Sequence, residues 1–242
     1  MTLREEFEHT GNWFFRWRSY LPLTVIIFYL LALSDYEYLA NNKQTENLWR
    51  VICLVVSFTG LFIRIFTIGY LPEGTSGRNT KEQIAETLNT KGMYSVVRNP
   101  LYLGNFFMVL GVTLFVHIWW LTIIYILIFL LYYERIIIAE EAYLEKKFGD
   151  VYLDWVNRTP VFIPKFGQYQ KTDTPFSLKK ILRQEYHSFF ALIVVMFILE
   201  TTCSLYAEGE LNFDLKWVVL LGFGSIIWGV LRVLTKYTKI LL

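Results

Sequence analysis

Two groups of residues in this 242-residue chain have the types and spacing to do chemistry. The first is the segment 91–104, KGMYSVVRNPLYLG, and the second is the acid pair Glu140 and Glu141 further along the chain. Arg98 and Asn99 supply a fixed cation and an amide. Pro100 has no N–H to lose in a first helical turn, and Gly104 lets a flat ligand approach the backbone. The segment reads as a ligand-binding edge, although a loop that only opens a helix, with Arg98 snorkelling at an interface, has the same letters. At about 100° per residue, Glu134 and Glu141 fall on nearly one helix face while Glu140 points away from Glu141. Glu134 and Arg135 can also be read as pairing with neighbours.

The elements that must hold these groups are membrane helices. The chain is 55% hydrophobic and 18% aromatic, with mean hydropathy +0.39, which marks an integral membrane protein. A net charge of only +2 gives no basic surface for nucleic acid. Six apolar runs, at 21–40, 48–70, 101–116, 119–138, 187–207 and 215–234, approach the roughly 20 residues needed to cross the hydrocarbon core. The fold class expected is therefore all-α, a polytopic membrane protein of about six spans. A turn at His117 separates the third and fourth spans, and the fourth continues past the headgroups until Gly149 ends it. A short helix is expected at 81–88, capped by Asn79 or Thr80. Three parts follow: an N-terminal arm and first span over 1–47, a core over 48–164, and a linker with two further spans over 165–242. Ionisable groups this close to a bilayer are by default site candidates.

Lysine and arginine placement sets the expected orientation. Arg4, Arg16 and Arg18 lie in the N-terminal arm; Arg78, Lys81, Lys91 and Arg98 lie in the second connection; a further basic set runs from Lys146 to Arg183. The alternate connections hold only Lys43, Arg50 and Lys216. Both termini and both connections that carry chemistry are thus expected on the cytoplasmic side. The arm lacks a signal peptide's pattern and is expected to be retained, with Trp13, Phe14, Phe15 and Trp17 as an interfacial anchor.

GMYSVVRNPLYLG resembles the glycine-x-tyrosine, arginine-histidine-proline-x-tyrosine-x-glycine motif of the integral membrane methyltransferases, which include isoprenylcysteine carboxyl methyltransferases and phospholipid N-methyltransferases. Glu140, Glu141, Leu144, Phe148, Gly149, Tyr152 and the terminal Phe162, Ile163 and Pro164 resemble that family's second block. Asn99 stands where the family has histidine; an amide keeps a positioning role but no protonation role. The resemblance implies S-adenosyl-L-methionine bound at the cytoplasmic ends of the third and fourth spans. It places Gly92, Tyr94, Asn99, Pro100, Tyr102, Gly104, Glu140 and Glu141 at the cofactor and Arg98 as the catalytic-site cation. The implied partner is a membrane lipid or lipidated substrate entering from the bilayer.

Methyl transfer from an activated sulfonium asks chiefly for alignment and exclusion of water. An anionic acceptor needs no general base, whereas an ammonium must first lose a proton. No histidine lies in the matched motif: His9, His117 and His187 are all elsewhere and read as interfacial. With Arg64, Arg78 and Arg135 near the same face as substrate-binding candidates, the acceptor is expected to be a lipid head methylated on a phosphate oxygen. Amine methylation and prenylcysteine carboxyl methylation are the alternatives. Cys53 and Cys203 have no metal-ligand spacing and are expected as buried free thiols, with a disulfide between the outer ends of their spans the alternative. Glu200 and Asp35, inside or near the ends of spans, are expected to pair or to snorkel outward. A transporter would be expected to put ionisable groups near the midplane, whereas the polar clusters here sit at helix ends; a non-catalytic scaffold needs no cofactor pocket.

Overall fold

The computed structural model describes residues 2–18, 29, 32–33, 36–72, 85–238 and 240. Helix α1 (Leu3–Trp17) precedes α2 (Lys43–Gly69), α3 (Pro100–Leu114), α4 (Trp119–Phe148), the short α5 (Asp150–Val156), α6 (Leu178–Glu208) and α7 (Leu215–Tyr237). Four of them, α2, α4, α6 and α7, are long and apolar enough to cross a membrane, and α3 is a shorter apolar helix. The protein is a multi-pass membrane protein. The first expected span falls largely outside the described residues, as do Asp35, Arg78 and most of the expected helix at 81–88; residues 85–88 of that stretch are bend and coil.

Local signals explain most boundaries. Thr2 and Glu5 form a reciprocal capping box on α1. Asn42 Oδ1 accepts the Gln44 N–H and starts α2 ahead of the apolar run. Pro100 opens α3, and Gly149, at φ 53°, ends α4 and hands the chain to α5. His117, with φ 42°, makes the turn between α3 and α4, and Phe115 and Val116 beside it are fully buried.

Helix α6 begins nine residues before the apolar run at 187. Two charged residues of its first turns are buried: Lys180 Nζ donates to the carbonyls of Leu71 (2.9 Å) and Pro72 (2.8 Å), and Glu185 pairs with Arg64. Helix α6 thereby ties its N-terminal end to the C-terminal end of α2. At the opposite end of the bundle, Arg50 bridges Glu46 (3.2 Å) and Glu200 (2.6 Å). Tyr36 OH and the Leu39 N–H also donate to Glu46, and all three charged side chains are at most 4% exposed. Glu200 therefore pairs inside the protein. Cys53 and Cys203 are free and buried nearby.

Helices α2 and α3 form the most extensive pairing. In lipid, where no hydrophobic force drives helices together, close contact through small residues supplies the packing. A Cβ at Gly60 would lie 2.4 Å from both the Gly104 carbonyl and the Met108 nitrogen. We expect Gly60→Val to lower the detergent thermal midpoint sharply, because overpacking typically costs about 1–3 kcal/mol and here meets unyielding backbone. Gly222→Val on α7, where a Cβ meets nothing within 4 Å, is the matched control. Equal midpoints for the two variants, by size-exclusion after heating, would show that the seam is not close-packed.

Candidate active site

The segment 91–99 folds as a loop pinned from two sides. Gly92, at φ 62°, starts a single 3₁₀ turn over Met93–Ser95. This left-handed backbone suits glycine. The Gly92 N–H donates to the Gln170 carbonyl (2.8 Å), and the Gln170 N–H donates to Ser95 Oγ (2.9 Å). The Lys165 N–H bonds the Val96 carbonyl (3.0 Å), and the Arg98 N–H bonds the Pro160 carbonyl (2.8 Å). The chain at 160–170 is thus a strap laid across the motif, reinforced by the ion pair of Lys91 with Asp173 and by Trp155 Nε1 donating to the Tyr94 carbonyl (2.9 Å).

Helix α4 brings the acid pair to this loop. Arg98 Nη1 donates to Glu141 Oε1 at 2.7 Å, and Tyr102 OH donates to Glu140 Oε1 at 2.7 Å. Glu140 and Glu141 diverge around the helix, as their spacing requires. Both reach the motif because Arg98 lies in the loop and Tyr102 in the first turn of α3, on either side of the acid pair. Glu134, by contrast, is exposed. The guanidinium of Arg18, at the end of α1, bears electrostatically on Glu140 and Tyr102.

Beside the Arg98–Glu141 pair the Tyr152 phenol lies against the Arg98 guanidinium, and neither Arg98 Nε nor Tyr152 OH, both buried, completes a well-formed hydrogen bond. Burial, with Glu141 close by, raises the Tyr152 phenol above its usual range, and burial with Glu140 does the same to Tyr94. Both stay protonated at neutral pH. Tyr152 belongs to the second sequence block but was not among the expected site residues; its place beside Arg98 follows from the tight turn at Gly149, which folds α5 back.

Other expected residues take different positions. Asn99 makes only a marginal contact to the Val161 carbonyl, at 3.5 Å, and does not cap α3 with its side chain. The space that Gly104 leaves is filled by the Arg64 stem, which a Cβ would meet at 2.5 Å, and by the Gly60 carbonyl. Arg64 forms a two-pronged pair with Glu185 (2.9 and 2.6 Å). Arg135 stacks on the Phe7 ring of α1, 3.3 Å from its centroid.

Residues 48–151 match the phospholipid methyltransferase family. This segment belongs to the integral membrane methyltransferases. The methyltransferase segment spans α2, α3 and α4, so the Arg98–Glu141 and Tyr102–Glu140 contacts lie within it, whereas Tyr152, the strap and α6 lie beyond. The chain is 28% identical over 165 residues to the cobalt-zinc-cadmium resistance protein CzcN of Cupriavidus metallidurans, covering 67% of this chain and 71% of that protein. It is 28% identical over 138 residues to the nickel-cobalt-cadmium resistance protein NccN of Alcaligenes xylosoxydans xylosoxydans, covering 56% and 62%. A third similarity, 35% over 77 residues, is to the protein-S-isoprenylcysteine O-methyltransferase of Schizosaccharomyces pombe, covering 32% of this chain and 33% of that protein. No solved structure matches the chain.

Proposed function

We propose that the protein uses S-adenosyl-L-methionine to methylate the polar head of a membrane lipid or lipidated substrate. The observation that carries this reading is the Arg98–Glu141 pair with Tyr152 against Arg98, where the buried Arg98 Nε and Tyr152 OH lack a well-formed hydrogen bond, at the edge of the segment that matches the methyltransferase family. That donor and acceptor set fits the cofactor's polar end. Arg98 and Tyr152 would hold its carboxylate, and Glu140 and Glu141 its ammonium and ribose hydroxyls, in charge-assisted bonds. Gly92, Tyr94, Asn99, Pro100 and Tyr102 would line it, with Gly104 acting by letting α2 come close. Bound there, the cofactor supplies a methyl group already activated on a sulfonium. The residues of this chain then have to align the acceptor and exclude water, and the strap over 160–170 and the aromatic wall of Tyr102, Phe106 and Tyr133 serve that end.

The acceptor in this reading is an anionic oxygen, of a lipid phosphate or a carboxylate. None of the three histidines is placed to take a proton from an ammonium: His9 is on α1, His117 turns the chain at the far end, and His187 Nδ1 accepts from Trp228 Nε1. Among the described residues, Arg64, Arg98 and Arg135 do not form a common anion cradle, because Arg64 and Arg98 have carboxylate partners and Arg135 an aromatic one. This reading keeps Arg98 in the site, at the cofactor's carboxylate. In this reading the same end of the bundle, with both termini, faces the cytoplasm, an orientation supported by the basic-residue asymmetry of the connections.

Purified protein in nanodiscs, incubated with methyl-labelled S-adenosyl-L-methionine and total membrane lipid, tests both levels. Label is expected in base-labile esters. Label confined to N-methylated amine lipids would overturn the oxygen acceptor, and absence of both label transfer and S-adenosylhomocysteine binding would overturn the methyltransferase reading.

A further inference from the structure

Helix α6 lies outside the segment that matches the methyltransferase family, yet it sends one buried carboxylate into that segment. Glu185, 3% exposed at its side chain, holds Arg64 through both oxygens, at 2.9 and 2.6 Å. Arg64 Nη1 then donates to Asn105 Oδ1 at 2.7 Å, and Asn105 Nδ2 donates to Tyr133 OH at 3.3 Å. The direction of this chain is forced by chemistry. A guanidinium can only donate, so the Asn105 oxygen must face it; the amide nitrogen, which can only donate, must then face Tyr133. Tyr133 OH is left as an acceptor toward Asn105, with its own hydrogen unspent among the described residues.

That hydrogen is in a telling place. Tyr133 stands seven residues before Glu140 on α4, two turns away on nearly the same face. Its ring centroid is 4.5 Å from that of Tyr102, whose hydroxyl bonds Glu140. Tyr133 is 8% exposed and stacks on Phe129 at 4.2 Å, so the ring cannot easily turn to find water.

We propose that Glu185 is a positioning residue for the cofactor site: through Arg64 and Asn105 it fixes the Tyr133 phenol as a hydrogen-bond donor to the bound S-adenosyl group. The inference rests on the cofactor reading above. It also gives α6 a part in the site. A carboxylate from α6 anchors a relay across α2 and α3 whose polarity the Arg64 guanidinium sets, and the relay ends at the cofactor wall on α4.

The test measures S-adenosylhomocysteine affinity by calorimetry on folded, nanodisc-embedded protein. Tyr133→Phe should raise Kd by about tenfold, the loss of one good hydrogen bond in a dry site. Asn105→Asp keeps the shape and the Arg64 contact but offers Tyr133 an acceptor, which captures its hydrogen, so Kd should rise as far. Glu185→Gln should also weaken binding, and neither Glu185→Gln nor Asn105→Asp should add to the loss in a Tyr133→Phe background. Additive losses would mean that Glu185 acts only on packing and would overturn the inference. So would unchanged affinity in Tyr133→Phe while the wild type binds. Should Glu185→Gln fail to fold, Glu185→Asp takes its place in the same cycle, and Asn105→Asp tests the rest of the relay with the Arg64–Glu185 pair intact. A wild type that binds no S-adenosylhomocysteine defeats the cofactor reading itself and the inference with it.

Discussion

Arg50→Met should remove most of the protein's thermal stability while leaving the S-adenosylhomocysteine affinity of the surviving folded fraction unchanged. Arg50 is 2% exposed and is bonded to Glu46 and Glu200, which are equally buried. Deleting the cation leaves Glu200 without its charged partner and Glu46 with only the His117 imidazole, at 3.4 Å, in place of the guanidinium. Breaking a buried ion pair from one side typically costs about 3–5 kcal/mol, because the remaining charge stays desolvated and unpaired. Replacing all three, as Glu46→Gln, Arg50→Met and Glu200→Gln together, should recover much of the loss, since an apolar or neutral substitute for a whole buried network is often tolerated. Thermal midpoints in detergent for the single and the triple variant check this. A single variant as stable as the wild type would mean the network contributes nothing.

Arg98→Ala and Glu141→Ala should each weaken S-adenosylhomocysteine binding about ten- to a hundredfold, with little change in the thermal midpoint. The range follows from the roughly 1.5–3 kcal/mol carried by a hydrogen bond to a charged group in a shielded site. Stability should hold because Glu141 is partly exposed at its side chain, 31%, and water can replace the partner in the free protein. Asn99→His, which restores the residue type the family motif carries, should bind as well as the wild type, because the Asn99 amide makes only its 3.5 Å contact. Titration calorimetry on the three variants is sufficient. Wild-type affinity in both Arg98→Ala and Glu141→Ala would take the cofactor away from this cluster.

Much of this architecture was legible in the residues. Helices α2, α4 and α7 announce themselves as apolar runs of membrane length, Pro100 and Gly149 mark where helices begin and end, and motif and acid pair were expected to meet. What was not legible depended on partners far away in the chain. The start of α6 looks polar, and nothing local says that Lys180 will be absorbed by the carbonyls of Leu71 and Pro72, or Glu185 by Arg64, 121 positions away. Arg64 and Arg135 looked like cations waiting for an anionic ligand for the same reason: the residues that occupy them, Glu185 and Phe7, lie outside any window that periodicity can read. Gly104 was rightly marked as a site of close approach, yet the visitor is α2, through Arg64 and Gly60, where a ligand was expected. Tyr152 was visible as a letter of the second block, but only the turn at Gly149 reveals that its hydroxyl ends beside Arg98.

The strap over the motif has a consequence for how the chain is made. Synthesis runs from the N-terminus, and domains generally fold as they emerge. When the ribosome has delivered α2, α3 and α4, both halves of the acid and arginine cluster exist, but the amides of Gly92 and Arg98 and the carbonyl of Val96 still await Gln170, Pro160 and Lys165. Backbone groups left unpaired and shielded from water are unfavourable, so the loop has no reason to settle until about twenty further residues have been translated. The nascent chain thus delivers α2, α3 and α4 before the loop over 91–99 can be completed, and the loop is completed before α6 and α7 have followed.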